Sequence, residues 1–192
     1  MPRPPRPQFA GAIYHVNTRG NRRAAIYRGD HDRVLFLSRL LHVIDRFEWE
    51  CHAWCLLTTH YHLLVTTPHP NIARGMQELN SRYAEAFNGQ YALTGHVFQG
   101  RYHHKLAESE EQLLEQYRYV ALQPVRAQIC ERPTEWPWSS YSGLVAGWQG
   151  RLYQPPALLA NFEGGLRGLS AFVETPEPVS ASRTLARARS FS

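Results

Sequence analysis

Two histidines interrupt an apolar, strand-like run of the sequence, TTHYHLLVTT at residues 58–67. Residues two apart in a strand project from the same face, so His60 and His62 would stand side by side with Tyr61 on the other face. Two neighbouring imidazoles can share one divalent ion. They can equally be histidines that only hydrogen-bond within a sheet, and for an isolated HxH pattern this is the commoner case.

A later helical segment supplies groups that could complete such a metal site. In EEQLLEQYRYVALQPV, residues 110–125, Glu115, Tyr119 and Gln123 are spaced four apart and share one helix face. The side-chain carbonyl of Gln123 can be a third ligand for a hard cation. Tyr119 could attack a phosphate held by that cation, which reduces the activation that a phenol needs. Glu115 could orient the tyrosine, or be a solvated helix residue.

Tyr117 is the rival nucleophile on the same helix. It precedes Tyr119 by two residues, which places it about 200° around the helix axis. Tyr117 therefore cannot share a face with Gln123, and Tyr119 is the better candidate if Gln123 is a ligand. The alternative role of Tyr119 is that of a half-buried aromatic side chain packed on a sheet.

The charge composition suits a phosphate-bearing partner, and it fits a basic surface with no such partner equally well. The 192-residue chain has a net charge of +5 at pH 7, and Lys105 is its only lysine, so arginine supplies almost all of the positive charge. The planar guanidinium binds phosphate oxygens bidentately, and aromatic rings beside it can stack on unpaired bases. The predicted DNA-contacting residues, each with solvated surface charge as the alternative, are Arg19, Asn21, Arg22, Arg23, Arg82, Arg101, His104, Lys105 and Arg118.

The cysteines and the N-terminal residues indicate the compartment. Three cysteines without a CxxC spacing predict a reduced protein with no disulfide framework. The segment MPRPPRPQFAG lacks the apolar core of a signal peptide, and no run approaches the ~18 apolar residues of a membrane span. These features predict a cytoplasmic protein with no membrane partner. Binding to DNA would associate it with the nucleoid, and we expect a monomer or homodimer.

The pattern of apolar residues predicts the order β-α-β-β-α-β-α. GAIYHVNTR indicates a strand at about residues 10–18, and a helix follows with Asp30 or Asp32 as its start signal. Two strand-like runs around residue 58 form a hairpin, and GHVFQGRYHHKLAE is β-like. The two later helices are NIARGMQELNSRYAEAFNGQY and the segment that begins after Ser109 and is interrupted at Pro124.

This order predicts an α+β fold, a ferredoxin-like sandwich with one central antiparallel sheet and helices packed on it. Residues 1–149 form the predicted domain. Residues 150–192 are a predicted C-terminal extension with short helices, in which residues 176–192 form a flexible basic tail.

Collinear segments between about residues 8 and 145 resemble one family. THYHLL followed by YRYVALQPVRA is similar to the HUH single-strand transposases, specifically the REP-associated tyrosine transposases. GAIYHVNTRGNRRAAIY, ECHAWCLLTTHYHLLVTT, ARGMQELNSRYAEAFN, GHVFQGRYHHKLAE and WPWSSYSG agree with that branch. The chain departs from it at Thr59, where asparagine is usual, and in ALQP, where HLNP is usual. Related insertion-sequence transposases have glutamine at the position of Gln123.

The resemblance implies a catalytic domain over residues 1–149 that nicks and rejoins single-stranded DNA. It assigns a divalent ion, Mg²⁺ or Mn²⁺, to His60, His62 and Gln123. Tyr119 is the implied nucleophile, which forms a 5′-phosphotyrosine bond and frees a 3′-OH. The implied partner is a DNA hairpin of a repetitive extragenic palindrome (REP) with a short single-stranded flank.

Two other functions remain open from the sequence. The replacement of the HLN tripeptide is consistent with a regulator that binds DNA hairpins but has lost catalysis. Such a protein would bind the hairpin tightly, in a salt-sensitive manner, without cleaving it. A zinc hydrolase would use His60, His62 and a third imidazole such as His104, and its activity would not depend on Tyr119.

Overall fold

One antiparallel sheet of four strands organises the protein, whose computed structural model describes residues 7–153 and 157–175. The strands are β1 (Ala12–Arg19), β2 (Glu50–Leu57), β3 (His60–Thr67) and β4 (His103–Ala107), in the order β2-β3-β1-β4. The helices in the described ranges are α1 (Asp30–Phe47), α2 (Ile72–Tyr91), α3 (Glu110–Ala121), α4 (Gln123–Arg126), α5 (Ser140–Val145) and α6 (Leu166–Glu174). This arrangement confirms the predicted ferredoxin-like α+β sandwich.

The two faces of the sheet carry separate hydrophobic clusters, because side chains alternate along each strand. Helices α1 and α2 cover one face, where Tyr14 and Tyr61 are buried. Helices α3, α5 and α6 contribute to the cluster on the other face, which includes Leu64 and Tyr117. His62 is two residues before Leu64 in β3, so it projects toward the face that α3 covers.

A tight turn after β1 presents two arginines beside the β2–β3 hairpin. A Cβ atom on Gly20 would lie 2.2 Å from the carbonyl oxygen of Ala24, so the turn requires glycine there. The Gly20 N–H donates to the carbonyl of Thr59 in the hairpin. Arg22 and Arg23 follow with φ values of 53° and 60°, in a region that non-glycine residues seldom adopt. Both side chains are exposed.

The structure corrects one predicted strand and supports one predicted helix. In GHVFQGRYHHKLAE only residues 103–107 form a strand, and before it Gly20 and Phe98 make an isolated bridge. Ser109 caps α3 by accepting from the Gln112 N–H at 3.2 Å. Helix α3 ends before Pro124, because proline has no N–H to continue the helical ladder.

The short helix α6 of the C-terminal extension packs on the cluster under α3. Leu169 and Val173 are buried there, and Arg118 Nε donates to the Val173 carbonyl at 3.3 Å. The predicted tail at 176–192 lies outside the described residues, and the domain boundary at 149 stays a prediction. Among the helices described, none combines the length and apolar character needed to cross a bilayer.

Burial separates the three cysteines into two classes. Burial raises the pKa of Cys51 to about 12 and that of Cys55 further, whereas Cys130 is partly exposed. Because the thiolate is the reactive form, we expect a disulfide reagent at pH 8 to label one thiol in the native protein and three in guanidinium. Cys130→Ser should remove the native signal. Two or more native thiols that react as fast as in the unfolded chain would contradict this burial.

Candidate active site

Strands β1 and β3 bring polar side chains together on the sheet face that α3 covers. Their antiparallel register sets Asn17 opposite His62 and Arg19 opposite His60. The ring centroids of His60 and His62 are 5.2 Å apart. His15 lies on the same face of β1, two residues before Asn17, and its Nε2 is 2.9 Å from Nδ1 of His62. Three imidazoles therefore adjoin one another on this face.

Burial keeps these imidazoles neutral. It lowers the pKa of His62 well below the ordinary value, with His15, His60 and Arg19 acting in the same direction. Burial and then Arg19 lower the pKa of His60. Burial and then Lys105 lower the pKa of His15 from 6.5 to about 4. A neutral imidazole keeps the nitrogen lone pair that binds a metal ion.

The hydrogen bonds of the two β3 histidines are made through Nδ1. Nδ1 of His62 pairs with His15, and Nδ1 of His60 lies 3.1 Å from Oγ1 of Thr59. Nε2 of His62 is buried and has no hydrogen-bond partner among the described residues. A buried nitrogen of this kind needs a partner, and a bound cation would be one. The residues present therefore fit a divalent ion.

Helix α3 places the Tyr119 ring next to those of His15 and His62. Its ring centroid is 5.4 Å from that of His15 and 5.8 Å from that of His62. Tyr119 is 37% exposed, whereas Tyr117 is 1% exposed and lies within the core. Of these two tyrosines, only Tyr119 is accessible to a DNA phosphate.

Gln123 begins α4, one turn after Tyr119. It is buried, and its Nε2 donates to the carbonyl oxygen of Tyr119 at 3.1 Å, which leaves Oε1 as an acceptor. Within residues 7–153 and 157–175, no three His, Cys, Asp or Glu side chains are grouped so as to hold a metal ion. A third protein ligand beside His60 and His62 would therefore be of another type, such as this amide.

The strand register contradicts the zinc site with His104. His104 pairs with Val16, and its ring centroid is 5.8 Å from that of Tyr14, on the face covered by α1 and α2. His60 and His62 project from the opposite face. Because it points to the other side of the sheet, His104 cannot bind the same metal ion as His60 and His62.

The predicted DNA-contacting residues fall into separate regions. Near the histidines, Arg19 lies opposite His60, Arg22 and Arg23 follow it, and Lys105 faces His15 from β4. The backbone N–H of Asn21 in the same turn donates to the carbonyl of Val97.

Other predicted residues are not brought to this face. Arg101 lines a cleft of about 620 Å³ between α2 and residues 95–102. Arg82 pairs with Glu78 at 3.0 Å on α2. Arg118 donates to carbonyls at the end of α6. Glu115 is exposed one turn before Tyr119, and its catalytic role stays a prediction.

Reasoning from the sequence missed two neighbours of Tyr119. The guanidinium carbon of Arg126 lies 4.6 Å from the centroid of the Tyr119 ring. Arg126 follows Tyr119 by seven residues, about two helical turns. This spacing could have predicted the contact despite Pro124. His15 lies two residues before Asn17 and so shares its face of β1. The periodicity alone does not show that β1 lies beside β3.

We expect the metal-free protein to lose stability as the pH falls from about 6.5 toward 4. His15 titrates at about 4 when folded and near 6.5 when unfolded, so the unfolded chain binds more protons in this window. The loss from this group is on the order of 3 kcal/mol, fully incurred below the folded pKa. Denaturant unfolding at pH 4.5, 5.5 and 7 should show a smaller pH dependence for His15→Gln. Equal dependence in both proteins would contradict the depressed pKa.

A comparison with protein-family models identifies the family of this chain. The family model described as transposase IS200-like matches residues 8–123. The fold is similar to that of a REP-associated tyrosine transposase bound to a REP hairpin, with a TM-score of 0.64, 19% identity, and coverage of 79% of this chain and 90% of that one. A putative transposase from Deinococcus radiodurans R1 gives a TM-score of 0.44, 17% identity, and coverage of 66% and 92%. No curated protein matches the chain.

The family match extends over more than half of the chain, from the first strand to Gln123. The match shows that the protein is a transposase, an enzyme that acts on DNA. Within that class the chain belongs to the IS200-like family, so the resemblance found in the sequence is confirmed at this level.

Proposed function

We propose that the protein is a metal-dependent single-strand DNA endonuclease and strand transferase with Tyr119 as its nucleophile. The observation that carries the proposal is the accessible ring of Tyr119, 5.4 Å and 5.8 Å from the rings of His15 and His62. The proposed substrate is a REP-type hairpin with a single-stranded flank, because the solved transposase of similar fold is bound to a REP hairpin. The proposed location is the cytoplasm, at the nucleoid.

Three side chains would hold the divalent ion, Mg²⁺ or Mn²⁺. His60 and His62 would bind it through Nε2, and Gln123 through its side-chain carbonyl. When bound, the ion polarises the scissile phosphate and stabilises the charge that develops on it. The Nε2 of His62, which is buried and has no hydrogen-bond partner in residues 7–153 and 157–175, supports this assignment.

Tyr119 carries out the covalent step. Its Oη attacks the phosphorus, the new O–P bond forms, and the bond from phosphorus to the 3′ oxygen breaks. The phenol proton passes to solvent and the leaving 3′ oxygen takes up a proton, so a free 3′-OH results. No water is consumed, and attack of a 3′-OH on the phosphotyrosine can later restore the diester and the phenol. Arg126, stacked over the ring, offers positive charge to the departing phenolate at that stage.

The basic residues beside the histidines would hold the DNA strand. Arg19, Arg22 and Arg23 form one group at the end of β1, and Lys105 is a second cation beside His15. Arginine binds phosphate through a planar fork, and each neutralised phosphate makes binding more sensitive to salt. Asn21 in the same turn would contribute hydrogen bonds to DNA.

The test uses one hairpin oligonucleotide, labelled at the 3′ end in one sample and the 5′ end in another. With Mn²⁺ or Mg²⁺, the 3′ label should become attached to the protein, while the 5′ label should appear on a shorter fragment that a polymerase can extend. EDTA should prevent both. Tight, salt-sensitive binding without an adduct under either ion would overturn the proposal and favour a silent hairpin-binding regulator.

A further inference from the structure

A single hydrogen bond joins two imidazoles beneath Tyr119. Nε2 of His15 and Nδ1 of His62 are 2.9 Å apart, and the two ring planes are inclined by 27° with centroids 5.2 Å apart. A neutral imidazole has one nitrogen that donates and one that accepts. One of these two nitrogens therefore carries the shared hydrogen, and two arrangements are possible.

The surroundings of His62 distinguish the two arrangements. If His15 donates, neutral His62 must carry its hydrogen on Nε2, which is buried and has no partner among the described residues. That arrangement buries an N–H without an acceptor and leaves no lone pair for a cation. If His62 donates from Nδ1, its Nε2 instead keeps a lone pair, and no donor of this ring is left unpaired.

We propose that His15 is a positioning residue, which accepts the Nδ1 hydrogen of His62 and so keeps the Nε2 lone pair of His62 free for the divalent ion. The identity of the ligand rests on the proposed function, whereas the hydrogen position does not. The pairing of β1 with β3 holds the two rings at a fixed separation. His15 also contacts the ring of Tyr119, so one side chain supports both the metal ligand and the nucleophile.

The hydrogen position can be measured in the metal-free protein. In ¹⁵N-labelled protein, two-bond ¹H–¹⁵N correlations distinguish the Nδ1–H from the Nε2–H form of each histidine, and His62→Gln assigns the signals of His62. We expect His62 to carry its hydrogen on Nδ1. His15→Phe, which keeps a planar ring but cannot accept, should shift His62 toward the Nε2–H form. An Nε2–H form in the unaltered protein would overturn the proposal.

The consequence for the metal ion is measured by calorimetric titration with Mn²⁺ alone. Losing an orienting partner of a metal-bound histidine typically weakens binding about 10- to 100-fold, and we expect this for His15→Phe. His15→Gln, whose amide oxygen can accept the hydrogen, should recover part of the affinity. His42→Phe is the matched control, because His42 is half exposed on α1. Unchanged affinity in His15→Phe would overturn the role of His15.

Failure of this inference can be told apart from failure of the proposed function. If Mn²⁺ does not bind the unaltered protein, the proposed metal site is wrong, while the hydrogen position on His62 still decides the role of His15. If DNA adducts form but His62 carries its hydrogen on Nε2, only the role of His15 is wrong. Thermal unfolding of each variant at pH 7.5 verifies that the compared proteins are folded.

Discussion

Replacing Tyr119 with phenylalanine is expected to abolish the covalent protein–DNA adduct and to slow cleavage by more than about 10⁴-fold. The phenol oxygen is the only atom of this side chain that can form a phosphate ester. Phenylalanine keeps the ring that contacts His15, His62 and Arg126, so the fold and Mn²⁺ binding should be retained. The measurement is a denaturing gel of the 3′-labelled hairpin after incubation with Mn²⁺.

Tyr117→Phe is the matched control for that variant. It removes the same hydroxyl two residues earlier, from a side chain that is 1% exposed in the core. The adduct should form at a rate close to that of the unaltered protein. An adduct that persists in Tyr119→Phe and disappears in Tyr117→Phe would show that the wrong tyrosine has been assigned.

His62→Ala should have the second largest effect. It removes the imidazole whose Nε2 has no hydrogen-bond partner in the part of the chain that the structure describes. We expect the affinity for Mn²⁺ to fall by about 100-fold or more, since even outer partners of metal ligands contribute about 10- to 100-fold. Adduct formation should fall in parallel and recover partly at high Mn²⁺ concentration. Hairpin binding in EDTA should change little, because the basic residues at the end of β1 remain.

His31→Ala is the control for the His62 variant, because His31 is an exposed histidine on α1. It should leave both Mn²⁺ affinity and adduct formation unchanged. Normal Mn²⁺ affinity in His62→Ala would show that the ion is held elsewhere. Normal adduct formation with no added ion would show that the chemistry does not need this histidine pair.

Local periodicity was enough to predict the order of the strands and helices and part of the site. Alternation in β3 indicated a common face for His60 and His62, and the strands do project them together. The 200° separation of Tyr117 from Tyr119 around α3 indicated that the two would differ in environment, as their burial shows. Both inferences use geometry within one element, which the sequence determines directly.

Contacts between elements were beyond such reasoning. His15 meets His62 only because β1 lies next to β3, a pairing between residues 47 positions apart. Arg118, a predicted DNA-contacting residue, donates to the carbonyl of Val173 in α6, 55 positions later in the chain. His104 was grouped with Lys105, although the two point to opposite faces of β4. In each case the missing information was which surface the neighbouring element covers.

Trypsin makes a direct test of the nucleophile possible. Cleavage after Arg118 separates LAESEEQLLEQYR, which contains Tyr117, from YVALQPVR, which contains Tyr119 as its only tyrosine. The adduct would be trimmed with nuclease, digested and analysed by mass spectrometry. A nucleotide phosphate on Tyr119 of YVALQPVR is the predicted result. The same mass on the Tyr117 peptide, or on any other residue, would contradict the assignment of Tyr119 as the nucleophile.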